Sequence, residues 1–189
     1  MSYPRSALLG NIARRTAALA AITLATVAGS AQAQPLAHVQ AYLQCRQATI
    51  TSFPGTIVDA AVATPALSTL VSLVQAADLV GTLSGKGPFT VYAPTNDAFG
   101  KVPAPVLDLL GADTALLTSV LTYHVTPGLA DPRRAVTPMA AKTVQGQSVF
   151  YSYGQGGLHI NQSGASCKGI KTTNGIVWVI DSVLLPQFK

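Results

Sequence analysis

The sequence contains no glutamate; all seven of its acids are aspartate. Charge of either sign is scarce, at 10% of 189 residues, while 49% are hydrophobic. A soluble domain ordinarily carries roughly a quarter charged residues. The shortage excludes a coiled coil, which needs Glu and Lys at its flanking heptad positions. The hydrophobic content excludes a disordered chain. No Gly-x-Ser-x-Gly, phosphate-cradling loop or dinucleotide fingerprint occurs. His38, His124 and His159 lack a second His or Cys at ligand spacing, so no metal site is expected. The aspartates show no paired spacing for acid–base work, and Asp59, Asp78, Asp97 and Asp113 sit at helix-start or turn positions. The expectation is a protein without catalytic machinery and without a cofactor.

What is present begins with the N-terminus. Arg5, Arg14 and Arg15 precede an uncharged apolar run, Thr16–Val27, and small residues that end in Ala31-Gln32-Ala33. This order of basic, apolar and cleavage regions is that of an export signal. The run is shorter than the roughly 20 residues a bilayer crossing needs, and no later run reaches that length. Residues 1–33 are therefore expected to be a signal peptide, and the mature chain to be secreted or periplasmic, with no integral membrane segment. The whole chain carries a net charge of +5. Without the signal's three arginines, nine basic residues face seven acidic ones, a net +2. That is no basic patch for nucleic acid.

Cys45 and Cys167 stand near opposite ends of the mature chain. In an oxidising compartment such a pair is expected to form a disulfide, the alternative being two free thiols. The bridge would close a loop of roughly 120 residues, worth about 4–5 kcal/mol in the chain-entropy model.

Residues 34–53 show no clear period and read as an N-terminal extension. Thr56-Ile57-Val58-Asp59 has capping-box spacing, and Leu67, Leu70, Val71 and Val74 mark one helical face. A further short helix is expected over 79–83. Phe89–Ala93 reads as a strand stopped by Pro94, Thr95 as the cap of a short helix, and Pro103 and Asp113 as the starts of two more. Tyr123-His124-Val125 reads as a strand, and Val149–Tyr153 and Leu158–Ile160 as two more. Asn174-Gly175 between Ile170–Thr173 and Ile176–Ile180 reads as a hairpin in which both turn residues take positive φ. Helices crowd the first half and strands the second, which is an α+β pattern.

Three stretches carry a resemblance. Phe89-Thr90-Val91-Tyr92-Ala93-Pro94-Thr95-Asn96-Asp97-Ala98-Phe99 resembles the first hallmark motif of fasciclin-like (FAS1) domains. Leu121-Thr122-Tyr123-His124-Val125-Thr126-Pro127-Gly128 resembles the family's Tyr-His motif. Thr173–Pro186 resembles its second hallmark motif, and Thr56–Ala63 its first helix. The motifs come in family order and the resemblance spans residues 54–187, taken as one domain. Tyr92 replaces the family's usual Phe, Trp178 a smaller residue, and the cysteine pair is not a general family feature.

The resemblance implies a β-wedge of two sheets flanked by several helices. It also implies a secreted, non-catalytic adhesion or interaction module binding an extracellular protein, a cell surface or a polysaccharide; separately, a monomer is expected. In the family motifs Thr95 and Asn96 resemble turn and cap residues, and Tyr123 and His124 a packed, hydrogen-bonded pair. These four, with Arg133 and Arg134 on an expected exposed loop over residues 129–138, are the candidate binding residues. Some fasciclin-like proteins bind carotenoids, so the alternative is a carrier of an apolar small molecule, with Tyr92, Phe99, Tyr123, Tyr151, Tyr153 and Trp178 available to line a groove.

Overall fold

The computed structural model describes residues 33–134, 139–154 and 156–188. The expected signal peptide, apart from Ala33, lies outside the described residues, as do residues 135–138 of the expected loop. Seven α-helices are described: α1 (Ala33–Gln47), α2 (Ile57–Val62), α3 (Ser68–Ala76), α4 (Val80–Ser84), α5 (Asn96–Gly100), α6 (Ala104–Ala112) and α7 (Thr114–Tyr123), with 3-10 turns at Pro65–Leu67 and Pro132–Arg134. The eight strands are β1 (Thr51–Ser52), β2 (Phe89–Pro94), β3 (Val125–Pro127), β4 (Met139–Lys142), β5 (Ser148–Gly154), β6 (Gly157–Ile160), β7 (Ser163–Lys171) and β8 (Gly175–Ile180). The α+β reading holds.

The strands run in the order β3-β2-β8-β7-β6-β5-β4, with β1 beside β7. β7 divides the sheet into two leaves. One of its edges pairs with β8 along its length, with a register shift between Ala165 and Gly169. Its other edge pairs with β6 at Ser163 and Gly164, then with β1 at Ile170 and Lys171. A bulge that bends a strand and changes its twist lets one strand serve both leaves.

β2 and β8 are parallel and central. Buried on both faces, they read as continuous apolar runs rather than alternating ones. Successive side chains point to opposite faces. Val91, Ala93 and Val177 therefore join the helices in one core, with Leu67, Leu70, Val74, Leu117, Val120 and Leu121. Tyr92, Ile176, Trp178 and Ile180 build a second core with Tyr123, Val149, Tyr151, Ile160 and Leu184.

The caps behave as local chemistry dictates. Thr56 and Asp59 form a reciprocal capping box, and Asp113 Oδ1 accepts from Ala115 and Leu116 at 2.9 and 3.0 Å. Three readings need correction. The extension over 34–53 holds a fifteen-residue helix, α1. Its own sequence is barely amphipathic, and long-range contacts fix it. Cys45 is disulfide-bonded to Cys167 on β7, and the Tyr42 ring meets Tyr153 edge-on at 5.1 Å.

Tyr123 and His124 do not begin a strand. Once Asp113 has started α7, the apolar spacing of Leu117, Val120 and Leu121 carries the helix on to Tyr123. His124 caps it. The β7–β8 hairpin is present, but neither Asn174 nor Gly175 takes positive φ. Instead the Asn174 side chain accepts from Ile57 N at 2.9 Å and donates to Leu83 O and Gly85 O at 2.8 and 3.0 Å. A Cβ on Gly175 would run into the carbonyl oxygen of Phe89.

Candidate functional site

The six expected site residues fall into separate places. Thr95 caps α5 through Ala98 N at 3.2 Å. Asn96 accepts from Thr69 N at 3.0 Å and donates to Pro65 O and Ser68 Oγ at 3.1 and 3.0 Å. Its donors and acceptor are used to hold α5 against the start of α3. His124 is buried. Its Nδ1 donates to Val120 O at 2.8 Å, and its Nε2 accepts from Leu184 N at 2.9 Å. These partners assign the neutral Nδ1–H tautomer. Burial outweighs the Val120 hydrogen bond and lowers the imidazole pKa to about 4.

Arg133 is not on an exposed surface. Its side chain is 10% exposed and stacks 5.2 Å above the Trp178 ring. Nε and Nη2 donate to the two Asp131 carboxylate oxygens at 2.8 Å each, and Nη1 donates to Ala48 O at 2.6 Å. Planar Arg forks suit such carboxylate and ring contacts. Burial opposes ionisation of Asp131, but the hydrogen bonds and charge of Arg133 outweigh it, so this carboxyl titrates below its ordinary value. The neighbouring Arg134 is 78% exposed.

The aromatic residues expected to line a groove are mostly packed inside. Tyr92 and Trp178 are fully buried, and Phe99, Tyr123 and Tyr151 nearly so. Tyr92 OH is hydrogen-bonded to Tyr151 OH and to Thr126 Oγ1, and burial raises its pKa. Trp178 Nε1 donates to Ala130 O at 3.1 Å. Tyr153, half-buried against Tyr42, has its pKa pushed up to about 12, chiefly by burial. Between the helices and β2 lies an apolar cavity of about 30 Å³, room for about one water.

Two clefts open to solvent. One, of about 730 Å³, is bordered by the exposed Lys86 and Lys171 with the hairpin residues Thr172–Gly175. The other, of about 930 Å³, is lined by Tyr123, Gly146, Gln147, Ser148, Phe150, Asn161, Gln162, Leu185 and Gln187. Its floor is Tyr123 OH, which donates to Ser148 O at 3.1 Å and accepts from Asn161 Nδ2 at 3.0 Å. One wall is fixed by Asn161, whose Oδ1 accepts from Phe150 N at 2.9 Å while its own N–H donates to Phe150 O at 2.7 Å. The other is the C-terminal segment. Gln147 Nε2 donates to Gln187 O at 2.7 Å, and Gln147 Oε1 accepts from Gln187 N at 2.9 Å.

Of the six expected residues, only Tyr123 reaches this cleft. The others lining it went unread in the sequence. The available signals were the turn pairs Gly146-Gln147 and Asn161-Gln162 and an aromatic, Phe150, on an outward-facing strand position.

Residues 65–186 match the Fasciclin domain family, and the chain belongs to that family. A Synechocystis protein, sll1483, is 39% identical over 133 residues, covering 69% of this chain and 73% of the relative. The cell surface glycolipoprotein MPB83 of Mycobacterium bovis is 42% identical over 127 residues, covering 65% of this chain and 56% of MPB83. The immunogenic protein MPB70 of the same species is 46% identical over 110 residues, 58% of this chain and 55% of that protein. The match thus spans little more than half the length of these two mycobacterial relatives. A solved FAS1 domain pair from the insect cell adhesion molecule Fasciclin I aligns with a TM-score of 0.47 and 18% identity, over 64% of this chain and 45% of that one.

Proposed function

We propose that this protein is an exported, non-catalytic interaction module. It binds a cell-surface or extracellular partner through the loops around the cleft of Tyr123, Phe150 and Gln187. The carrying observation is where its polar chemistry is spent. Both nitrogens of His124 are engaged by backbone, Asn96 is saturated, and Arg133 is paired and stacked. A general base needs a nitrogen free to take a proton near neutral pH, and a buried imidazole with a pKa near 4 does not offer one. Six of the nine residues around the cleft, by contrast, come from turns and the C-terminal segment, the others being Tyr123 at the end of α7 and Ser148 and Phe150 on β5. A rigid scaffold bearing variable contacts on its loops is a common binding design.

Family membership and the names of the mycobacterial relatives, cell surface glycolipoproteins among them, support a location outside the cytoplasm. The signal-like N-terminus and the disulfide point the same way. The test is retention of the purified protein on cell envelopes of its host, followed by analysis of the envelope material. Saturable retention with chemically unchanged material is expected. Absence of saturable binding, or turnover by the pure protein, would overturn this reading.

A further inference from the structure

The geometry points to a neutral oligosaccharide as the ligand of the cleft between the β4–β5 turn, the β6–β7 turn and the C-terminal segment. This inference rests on the interaction-module reading and names the chemistry of its partner.

The lining contains no charged side chain. Its polar groups are amides and hydroxyls, which both donate and accept, as the hydroxyls of a sugar ring do. Among the described residues, the side-chain amides of Gln162 and Gln187 and the Ser148 hydroxyl make no protein hydrogen bond. They are the groups left to meet a ligand. Tyr123 OH, already donating to Ser148 O and accepting from Asn161, keeps one lone pair at the floor.

Sugars also present an apolar C–H face, and the cleft supplies its counterpart. Phe150 is 55% exposed and Leu185 48% exposed, in walls otherwise polar. Folding gains little from an aromatic ring left in water, and within this cleft Phe150 and Leu185 leave apolar surface open to a ligand. The Phe150 backbone is held from both sides by Asn161, and Gln147 pins the opposite wall. Both walls are therefore set before a ligand arrives, which lowers the ordering cost of binding. A volume of about 930 Å³ is at the upper end of small-molecule sites, about 300–1,000 Å³. It suits several linked rings better than one ion.

Charge distribution argues against an acidic chain here. Lys142, the register partner of Ser148 on β4, is outside the lining. The two lysines that border a cleft, Lys86 and Lys171, belong to the other one.

The experiment is ligand-observed NMR and calorimetric titration of the purified full chain. The neutral probes are laminarihexaose, cellohexaose, maltohexaose, chitohexaose and mannohexaose; polygalacturonate oligomers are the acidic arm. At least one neutral hexamer is expected to bind, with little change on adding salt. Phe150→Ala should weaken it about tenfold, as loss of aromatic stacking plus buried area predicts, and Gln162→Ala should weaken it several-fold. Lys142→Ala and Lys86→Ala should leave it unchanged. The two site variants lie on the surface, and thermal unfolding checks that each is folded. Failure of all five neutral probes, binding that ignores Phe150→Ala, or binding confined to the acidic oligomers and abolished by salt would overturn the inference. Envelope retention is measured on the same variants. If retention is saturable but indifferent to Phe150→Ala, the neutral-sugar inference falls and the interaction-module reading stands.

Discussion

At the scale of single residues, the most consequential feature is a histidine kept neutral. Its folded pKa, about 4, lies below the ordinary 6.5. Between those values the unfolded chain binds more protons than the folded one, so stability falls as pH falls through that window. Above about pH 6.5 the contribution is complete, and its loss by about pH 4 amounts to about 3 kcal/mol at 1.36 kcal/mol per unit. Urea unfolding across pH 7 to 4 should show this slope, and His124→Gln, which cannot protonate there, should reduce it. An identical slope in the variant would refute the neutral assignment. Arg133 and Arg134 make a second contrast. Arg133→Ala should cost about 2–3 kcal/mol, somewhat under a fully buried pair because Asp131 retains some solvent. Arg134→Ala should stay within about 0.5 kcal/mol. Equal losses in thermal or urea unfolding would contradict the stacked, paired geometry. In sequence the two arginines are indistinguishable. What separates them is a ring 45 positions further along and the carbonyl of Ala48, contacts that no local pattern records.

At the scale of elements, local chemistry was readable and long-range docking was not. Thr56, Thr95 and Asp113 cap α2, α5 and α7 because a cap needs only its own next turn. The strand β8 and its hairpin were likewise plain, although the turn works through the Asn174 side chain rather than through its φ. Helix α1 was invisible because it is held by Cys167 and Tyr153, with Arg133 holding Ala48 just past its end, all more than eighty residues away. Cys45→Ser with Cys167→Ser should therefore lower stability by about 2–5 kcal/mol and speed hydrogen exchange in α1 before the rest of the fold. Intact mass should rise by about two hydrogens on reduction, since reduction adds one to each sulfur. Unchanged mass would mean free thiols. Asn174→Ala removes three bonds that join the hairpin to α2 and α4 and should cost about 1–3 kcal/mol, read as a lower urea midpoint at constant slope.

At the scale of the molecule, the strand order explains where binding can occur. β2 and β8 occupy the centre and are covered on both faces, so the family motifs they carry are spent on packing. The free chemistry is pushed to the turns at the far leaf and to the segment that ends the chain. For this reason the family motifs identified the family but supplied only two members of the cleft, Tyr123 and Leu185. The others come from residues 146–150 and 161–162 and from Gln187, three separate stretches brought together by the pairing of β5 with β6, by the Tyr123 hydroxyl and by the Gln147–Gln187 clasp.

Hydrogen-exchange mass spectrometry of the protein alone and bound to host envelope material tests the central claim most directly. Slowed exchange confined to residues 146–150, 161–162 and 185–187 is the predicted footprint. Protection centred instead on residues 95–100, on α1 or on the Lys86–Lys171 cleft, with none at Phe150 or Gln162, would contradict the account.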